Sequence, residues 1–179
     1  MIIELLELEK KRFNEIYKLM EASFPKEELR TYEQAGAQLE KPDYQILVSK
    51  NENNKISAFI ATWDLGSFIF LEHLAVDQET RGQGFGTKLM TAYLAAVKKP
   101  VIIEVEDEET EIAKRRVGFY QRLGFHLSEF GYNQPIMRGD AHKKIPLRIM
   151  AFPEVISEDF FGVFKKQVFT KIYRTTSVS

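Results

Sequence analysis

No cysteine occurs among the 179 residues, which excludes disulfides, a thiolate metal site and a cysteinyl covalent intermediate. Histidine is scarce, and His73, His126 and His142 show no metal-ligand spacing, so each reads as a surface or packed residue. No apolar run approaches the roughly 20 residues needed for a membrane-spanning helix. The first seven residues, Met1-Ile2-Ile3-Glu4-Leu5-Leu6-Glu7, are broken by acidic charge, unlike a secretory signal. Neither sign of charge dominates: 25 Lys and Arg stand against 26 Asp and Glu, for a net charge of −1. That balance gives no reason to expect nucleic acid or an anionic membrane as partner. Low-complexity linkers and internal repeats are also missing. What is present, 44% hydrophobic and 28% charged residues, is the composition of a globular protein large enough to bury a full core. One domain over residues 1–179 is expected, cytoplasmic by default, as a monomer or homodimer.

Periodicity divides the chain into alternating elements. Ile2 to Leu8 reads as a first strand, and Phe13, Ile16, Tyr17 and Met20 then recur at i, i+3, i+4, i+7, an amphipathic helical stripe. Pro25 ends that helix, and a second helical stretch is expected from Lys26 to Leu39. Tyr44 to Lys50 and Ile56 to Trp63 flank the polar turn Asn51-Glu52-Asn53-Asn54 as a hairpin. Phe68 to Val76 follows, apolar on both alternating faces and so central in its sheet. Beyond a glycine-rich stretch, Phe85, Leu89, Met90, Tyr93, Leu94 and Val97 give a helix of about four turns. Val101 to Glu106 predicts the next strand, Ile112 to Leu123 a helix ended by Gly124. Two last strands are expected from Phe125 onward and at Pro146 to Phe152, joined by a polar loop. A phenylalanine-rich closing helix, residues 156–173, is read as core packing rather than as an interface.

The stretch Leu74-Ala75-Val76-Asp77-Gln78-Glu79-Thr80-Arg81-Gly82-Gln83-Gly84-Phe85-Gly86-Thr87 carries the most chemistry. An apolar strand runs into an arginine and three alternating glycines, and a helical pattern starts inside them. Glycine turns tightly and lets its amides approach a ligand. A helix N-terminus adds unpaired N–H groups and partial positive charge, and arginine a forked cation, so the segment reads as a pyrophosphate cradle. It is not a Walker A loop, because Gly86 is followed by Thr87-Lys88 rather than Lys-Thr. A dinucleotide fingerprint would need glycine at Thr87 and an early position in a βαβ unit.

Arg81-x-x-Gly84-x-Gly86 resembles the acyl-CoA loop of the GNAT superfamily of N-acetyltransferases. Phe119-Tyr120-Gln121-Arg122-Leu123-Gly124-Phe125 resembles that family's aromatic-Tyr-x-x-x-Gly-Phe segment. The element order βααβββαβαββ over residues 1–152 is similar to the family's as well. The resemblance implies an α/β (α+β) fold: a mixed, mostly antiparallel central sheet of about seven strands, splayed between strands 4 and 5, flanked by helices. An extra C-terminal helix would follow that core. It further implies acetyl-CoA as co-substrate and no metal. The pantetheine arm would pair with the backbone of Leu74, Ala75 and Val76, and Arg81, Gly82, Gln83, Gly84, Phe85, Gly86 and Thr87 would hold the pyrophosphate. The family's asparagine before the tyrosine helix has no counterpart here, and Arg116, one turn before Tyr120, is taken as its partial substitute. Phe24-Pro25 with Glu28-Leu29-Arg30, Glu72-His73 and Tyr132-Asn133-Gln134-Pro135 resemble uncharacterised bacterial members of the superfamily, which supplies no acceptor.

Acetyl transfer from a thioester to an amine needs the amine deprotonated, the oxyanion stabilised and the thiolate protonated. Without cysteine, direct attack in a ternary complex is expected. Tyr120 matches the family tyrosine and is the candidate general acid, with helix-end packing as its plain alternative. Two carboxylates are candidate bases. Glu72 shares a row with Phe68, Phe70, Leu74 and Val76, odd for a charge unless it faces a wet cleft. Glu104 matches the glutamate that some family members use, alternates onto one face with Glu106, and is taken ahead of Glu72. Partial burial or a nearby carboxylate would raise either pKa toward neutrality, and an edge-facing or salt-bridged glutamate is the plain alternative at both positions. The acidic run from Glu104 to Glu111 is read as helix N-terminal charge balanced by Lys114-Arg115-Arg116, rather than as a lure for a cationic amine. Tyr132, Gln134, Met137 and Arg138 are placed in the loop between the last strands, near an acceptor pocket. The function expected is acetyl transfer to a primary amine of a small molecule or protein. The alternative is a catalytically silent acyl-CoA-binding sensor on the same fold.

Overall fold

The computed structural model describes residues 3–135 and 145–174, and its backbone divides into two compact units, residues 1–99 and 100–179. The first unit begins with β1 (Leu6–Glu7), α1 (Phe13–Ser23) and α2 (Tyr32–Ala37). It continues through β2 (Tyr44–Lys50), β3 (Ile56–Asp64), β4 (Ile69–Val76) and α3 (Phe85–Ala96). The stripe that predicts α1 is the face it buries: Phe13, Ile16, Tyr17 and Met20. Phe24, before Pro25, is already extended at φ −130° and ψ 147°, as the proline ring requires of its predecessor.

The long second helix expected from Lys26 to Leu39 is instead three pieces: 3₁₀ turns at Lys26–Glu28 and Gln38–Glu40, with α2 between them. Leu29 is extended, and Tyr17 donates its hydroxyl proton to the Arg30 carbonyl at 2.7 Å. Thr31 then starts α2 with a reciprocal capping box to Gln34. That Thr-x-x-Gln signature is a helix start written in the sequence.

Strands β1 to β4 pair antiparallel in chain order. Eight of the nine residues of β3 are buried, as befits a strand paired on both edges. Between β3 and β4 the register slips: Ala61 faces His73 while Thr62 faces Leu71. Glu72 is thus the extra residue of a β-bulge, which breaks the alternation. Phe68 and Phe70 are fully buried, whereas Glu72, Leu74 and Val76 are half-buried. The single row read along this strand does not run through position 72.

The second unit holds β5 (Val101–Glu106), α4 (Glu111–Arg122), β6 (His126–Gln134), β7 (Ile145–Phe152) and α5 (Glu158–Gln167). A π turn at Val168–Ile172 follows. Strand β7 lies between β5 and β6, antiparallel to both. Thr110 caps α4 by accepting from the Ala113 amide at 3.1 Å. A bulge between Leu127 and Gly131 re-aims β6, held by Arg148, which donates from Nε and a terminal nitrogen to the Ser128 carbonyl at 3.1 and 2.8 Å. Gly131 is required there, since a Cβ would lie 2.2 Å from the Leu147 carbonyl oxygen. Tyr132 and Gln134 belong to β6 and not to the loop between the last strands, because pairing with β7 runs on to Gln134↔Ile145. Met137 and Arg138 lie outside the described residues. The closing helix packs as expected, burying Phe164, Val168, Phe169 and Ile172. All seven expected strands are present, four in the first unit and three in the second. Among the described residues no helix is long and apolar enough to cross a membrane.

Candidate active site

In the first unit the chain leaves β4 through a 3₁₀ turn at Gln78–Thr80 and enters the glycine loop. Gly82 and Gly84 adopt φ of +81° and +71°, left-handed values that a side chain at either position would strain. These two reversals bring the chain onto the start of α3. Lys88 donates the first helical bond, to the Gly84 carbonyl at 3.1 Å, so the amides of Phe85, Gly86 and Thr87 precede the ladder. Residues Arg81 to Gly84 and Thr87 are exposed, and Phe85 and Gly86 half-buried. This is the geometry of an anion cradle. The Arg81 guanidinium is turned away from it, donating to the Val76 carbonyl at 3.0 Å and to Ser23 Oγ at 3.1 Å. There it borders a cavity of about 310 Å³ beside the C-terminal end of α1. Leu74, Ala75 and Val76 pair with Ile60, Phe59 and Ala58 of β3.

Glu72 sits on the bulge of β4 with only 6% of its side chain exposed, ion-paired to Arg30, which is 11% exposed. Its second oxygen accepts from Trp63 Nε1 at 2.6 Å. Burial pushes this carboxyl up, but the Arg30 guanidinium, with the hydrogen bonds from Arg30 and Trp63, outweighs burial and holds it below the usual carboxylate range. That direction is opposite to the rise a general base would need, and the ion pair makes Glu72 the salt-bridged glutamate that the sequence left open beside the catalytic one. Next to it, burial depresses His73 as well. Its Nδ1 is buried without a partner, and its ring stands 4.8 Å from that of Phe24.

The second unit carries the other candidates. Glu104, on β5, accepts a hydrogen bond from the Tyr132 hydroxyl of β6 and another, at 2.5 Å, from the Tyr173 hydroxyl. Burial foremost, and then the charge of Glu104, raises Tyr132 well above the ordinary phenol value. Tyr120 is 8% exposed near the end of α4, its ring 5.1 Å from Phe119 and 5.3 Å from Phe125. Burial pushes its phenol up to about 12, with the charge of Arg116 pulling the other way. A phenol so shifted keeps its proton at neutral pH, as a general acid must. Arg116 itself is exposed on α4.

Three participants were given no role from the sequence: Arg30 and Trp63 around Glu72, and Tyr173 on Glu104. Arg30 lies 42 residues from its partner and Tyr173 lies 69. No local spacing rule reaches that far. The odd charge at position 72 in an apolar strand was the one available signal that a cation had to exist somewhere.

The comparisons with known proteins agree with this architecture. Residues 13–125 match the acetyltransferase (GNAT) family. The protein YjbC of Bacillus subtilis (strain 168), whose name assigns it provisionally to the acetyltransferases, is 32% identical over 160 residues, covering 88% of this chain and 80% of its own. A provisionally assigned GNAT-family acetyltransferase from Bacteroides thetaiotaomicron superposes with a TM-score of 0.88 at 26% identity, over 97% of this chain and all of that one. The ribosomal-protein-S18-alanine N-acetyltransferase from Escherichia coli shares the fold at a TM-score of 0.63 and 20% identity, over 88% and 98% of the two chains. The chain is therefore an acyltransferase and belongs to the GNAT family of acetyltransferases.

Proposed function

We propose that this enzyme transfers an acetyl group from acetyl-CoA directly to a primary amine of a small molecule or protein, with residues 1–179 acting as one acetyltransferase domain. The observation that carries the donor is the loop from Gly82 to Thr87, whose left-handed glycines present helix-start amides on an exposed surface. Those amides suit the diphosphate of coenzyme A, and Leu74, Ala75 and Val76 are the proposed track for its pantetheine arm. Arg81 would join them by releasing Ser23, and Arg116 would add a second cation.

The chemistry follows from the groups at hand. The neutral amine attacks the thioester carbonyl carbon, the C–N bond forms and the C–S bond breaks. Tyr120, protonated at neutral pH, gives its proton to the departing thiolate. Glu104 accepts the proton that the amine nitrogen sheds. We prefer Glu104 to Glu72 because the ion pair with Arg30 stabilises the Glu72 carboxylate and lowers its proton affinity. Glu72 then serves to fix the bulge of β4.

The test is release of free CoA thiol from acetyl-CoA across a panel of primary amines, wild type beside Tyr120→Phe. Acceptor-dependent release that collapses in Tyr120→Phe supports the reading. Tight acetyl-CoA binding with no acceptor-dependent release from the wild type would make the chain a silent acyl-CoA-binding module instead.

A further inference from the structure

We propose that Tyr173, brought in by the C-terminal helical segment, is a positioning residue for Glu104, so that this segment works on the acceptor half of the reaction as well as closing the core. The proposal rests on Glu104 being the group that takes the amine proton. The segment lies beyond residues 13–125 that match the family.

The build of the segment is what delivers the phenol. Ser157 caps α5 by accepting from the Phe160 amide at 3.1 Å, and Glu158 and Asp159 complement the first turn. Phe164 is fully buried. At 3.6 residues per turn, the nine steps from Phe164 to Tyr173 make about two and a half turns, which would put Tyr173 on the opposite side of the helix. The helix does not keep that pitch. From Val168 it widens into a π turn closed by the Tyr173 amide donating to the Val168 carbonyl at 2.9 Å. The wider turn absorbs part of the rotation. Val168, Phe169 and Ile172 stay buried, while Tyr173, half-buried, reaches Glu104 Oε1.

Both oxygens of Glu104 thereby carry a phenol, Tyr132 on Oε2 and Tyr173 on Oε1. Phe169 packs edge-on against both rings, 5.0 Å from Tyr132 and 5.8 Å from Tyr173, and so fixes the pair relative to the carboxylate. Two donors aimed at the ionised form orient Glu104 and set its proton affinity. A segment that only filled the core would do as well with phenylalanine at 173, since the hydroxyl adds nothing to apolar packing.

The experiment is a carbon-13 carboxyl NMR titration of the full chain, with the Glu104 resonance identified by its loss in Glu104→Gln. Tyr173→Phe should raise the Glu104 midpoint by about one pH unit, because one donor to the charged form is lost. Replacement of Tyr173 by 3-fluorotyrosine keeps the packing and strengthens the donor, so the midpoint should fall. The acid limb of kcat/KM, measured with acetyl-CoA and the most active amine of the panel, should move in the same directions while KM for acetyl-CoA stays put. A Glu104 midpoint unmoved by both replacements overturns the proposal, whatever Glu104→Gln does to the rate. If the midpoint moves but Glu104→Gln keeps the full rate, Glu104 is not the base. The contact then stands as structure and the positioning role falls with the base.

Discussion

Arg30 and Glu72 illustrate how a single buried charge dictates its surroundings. Two ions almost removed from water cost several kcal/mol each, repaid only by their mutual attraction and further hydrogen bonds, here from Trp63. Removing one member should therefore hurt more than removing both. Arg30→Met should cost about 3–5 kcal/mol by leaving Glu72 uncompensated, whereas Arg30→Met with Glu72→Leu should lie near the wild type in stability. Urea midpoints of the two variants would decide it, and equal losses in both would mean that the pair carries little of the bulge's stability. Tyr120 is the residue-scale test of chemistry. Tyr120→Phe keeps the edge-on ring contacts with Phe119 and Phe125 and deletes the proposed acid. The expected loss in kcat is about 10²- to 10⁴-fold with acetyl-CoA affinity, read by calorimetry, little changed.

At the scale of elements, two glycines make separable predictions because different physics requires them. Gly84 is left-handed with nothing within 4 Å of an added Cβ, so Gly84→Ala should cost backbone strain alone, about 1–2 kcal/mol. The strain falls on the loop, and acetyl-CoA affinity should drop about tenfold in proportion. Gly131 lies where β6 presses on the Leu147 carbonyl, so Gly131→Ala must push two strands apart. We expect about 1–3 kcal/mol of lost stability and a weakened Tyr132–Glu104 hydrogen bond, since Tyr132 is the next residue. Thermal melts and acetyl-CoA titrations of both variants separate the effects: both lose stability, and only Gly84→Ala also loses acetyl-CoA affinity. Element boundaries were legible wherever period and punctuation agreed, as for α1, β2 and β5. They failed at Lys26 to Leu39, where the helix is interrupted at the extended Leu29 and restarts at Thr31, an interruption supported by the Tyr17–Arg30 contact.

For the molecule as a whole, the buried titratable groups give stability an acid-side dependence. Glu72 has a folded pKa below its ordinary 4.5. Its contribution is complete above that value and is lost as pH falls through the folded pKa. His73 is depressed below 6.5 by burial, so the unfolded chain takes up that proton first and stability declines from about pH 6.5 downward. Chemical-denaturation free energies between about pH 2 and 8 should fall in two stages toward acid, one below about 6.5 and one below about 4.5. His73→Phe should flatten the upper stage, and an unchanged upper stage in that variant would assign it to another group.

Sequence by itself determined most of the elements, the glycine-rich helix start after β4 and the family, because periodicity, glycine spacing and helix-start signals are local properties of adjacent residues. The tertiary structure decided what the carboxylates do. Glu72 and Glu104 looked alike in their strands, each an acidic residue among apolar neighbours. Folding brought a guanidinium from 42 residues away to the first and phenols from 28 and 69 residues away to the second. Proton affinity depends on solvation and on partners within a few ångströms, and only the folded chain sets those distances.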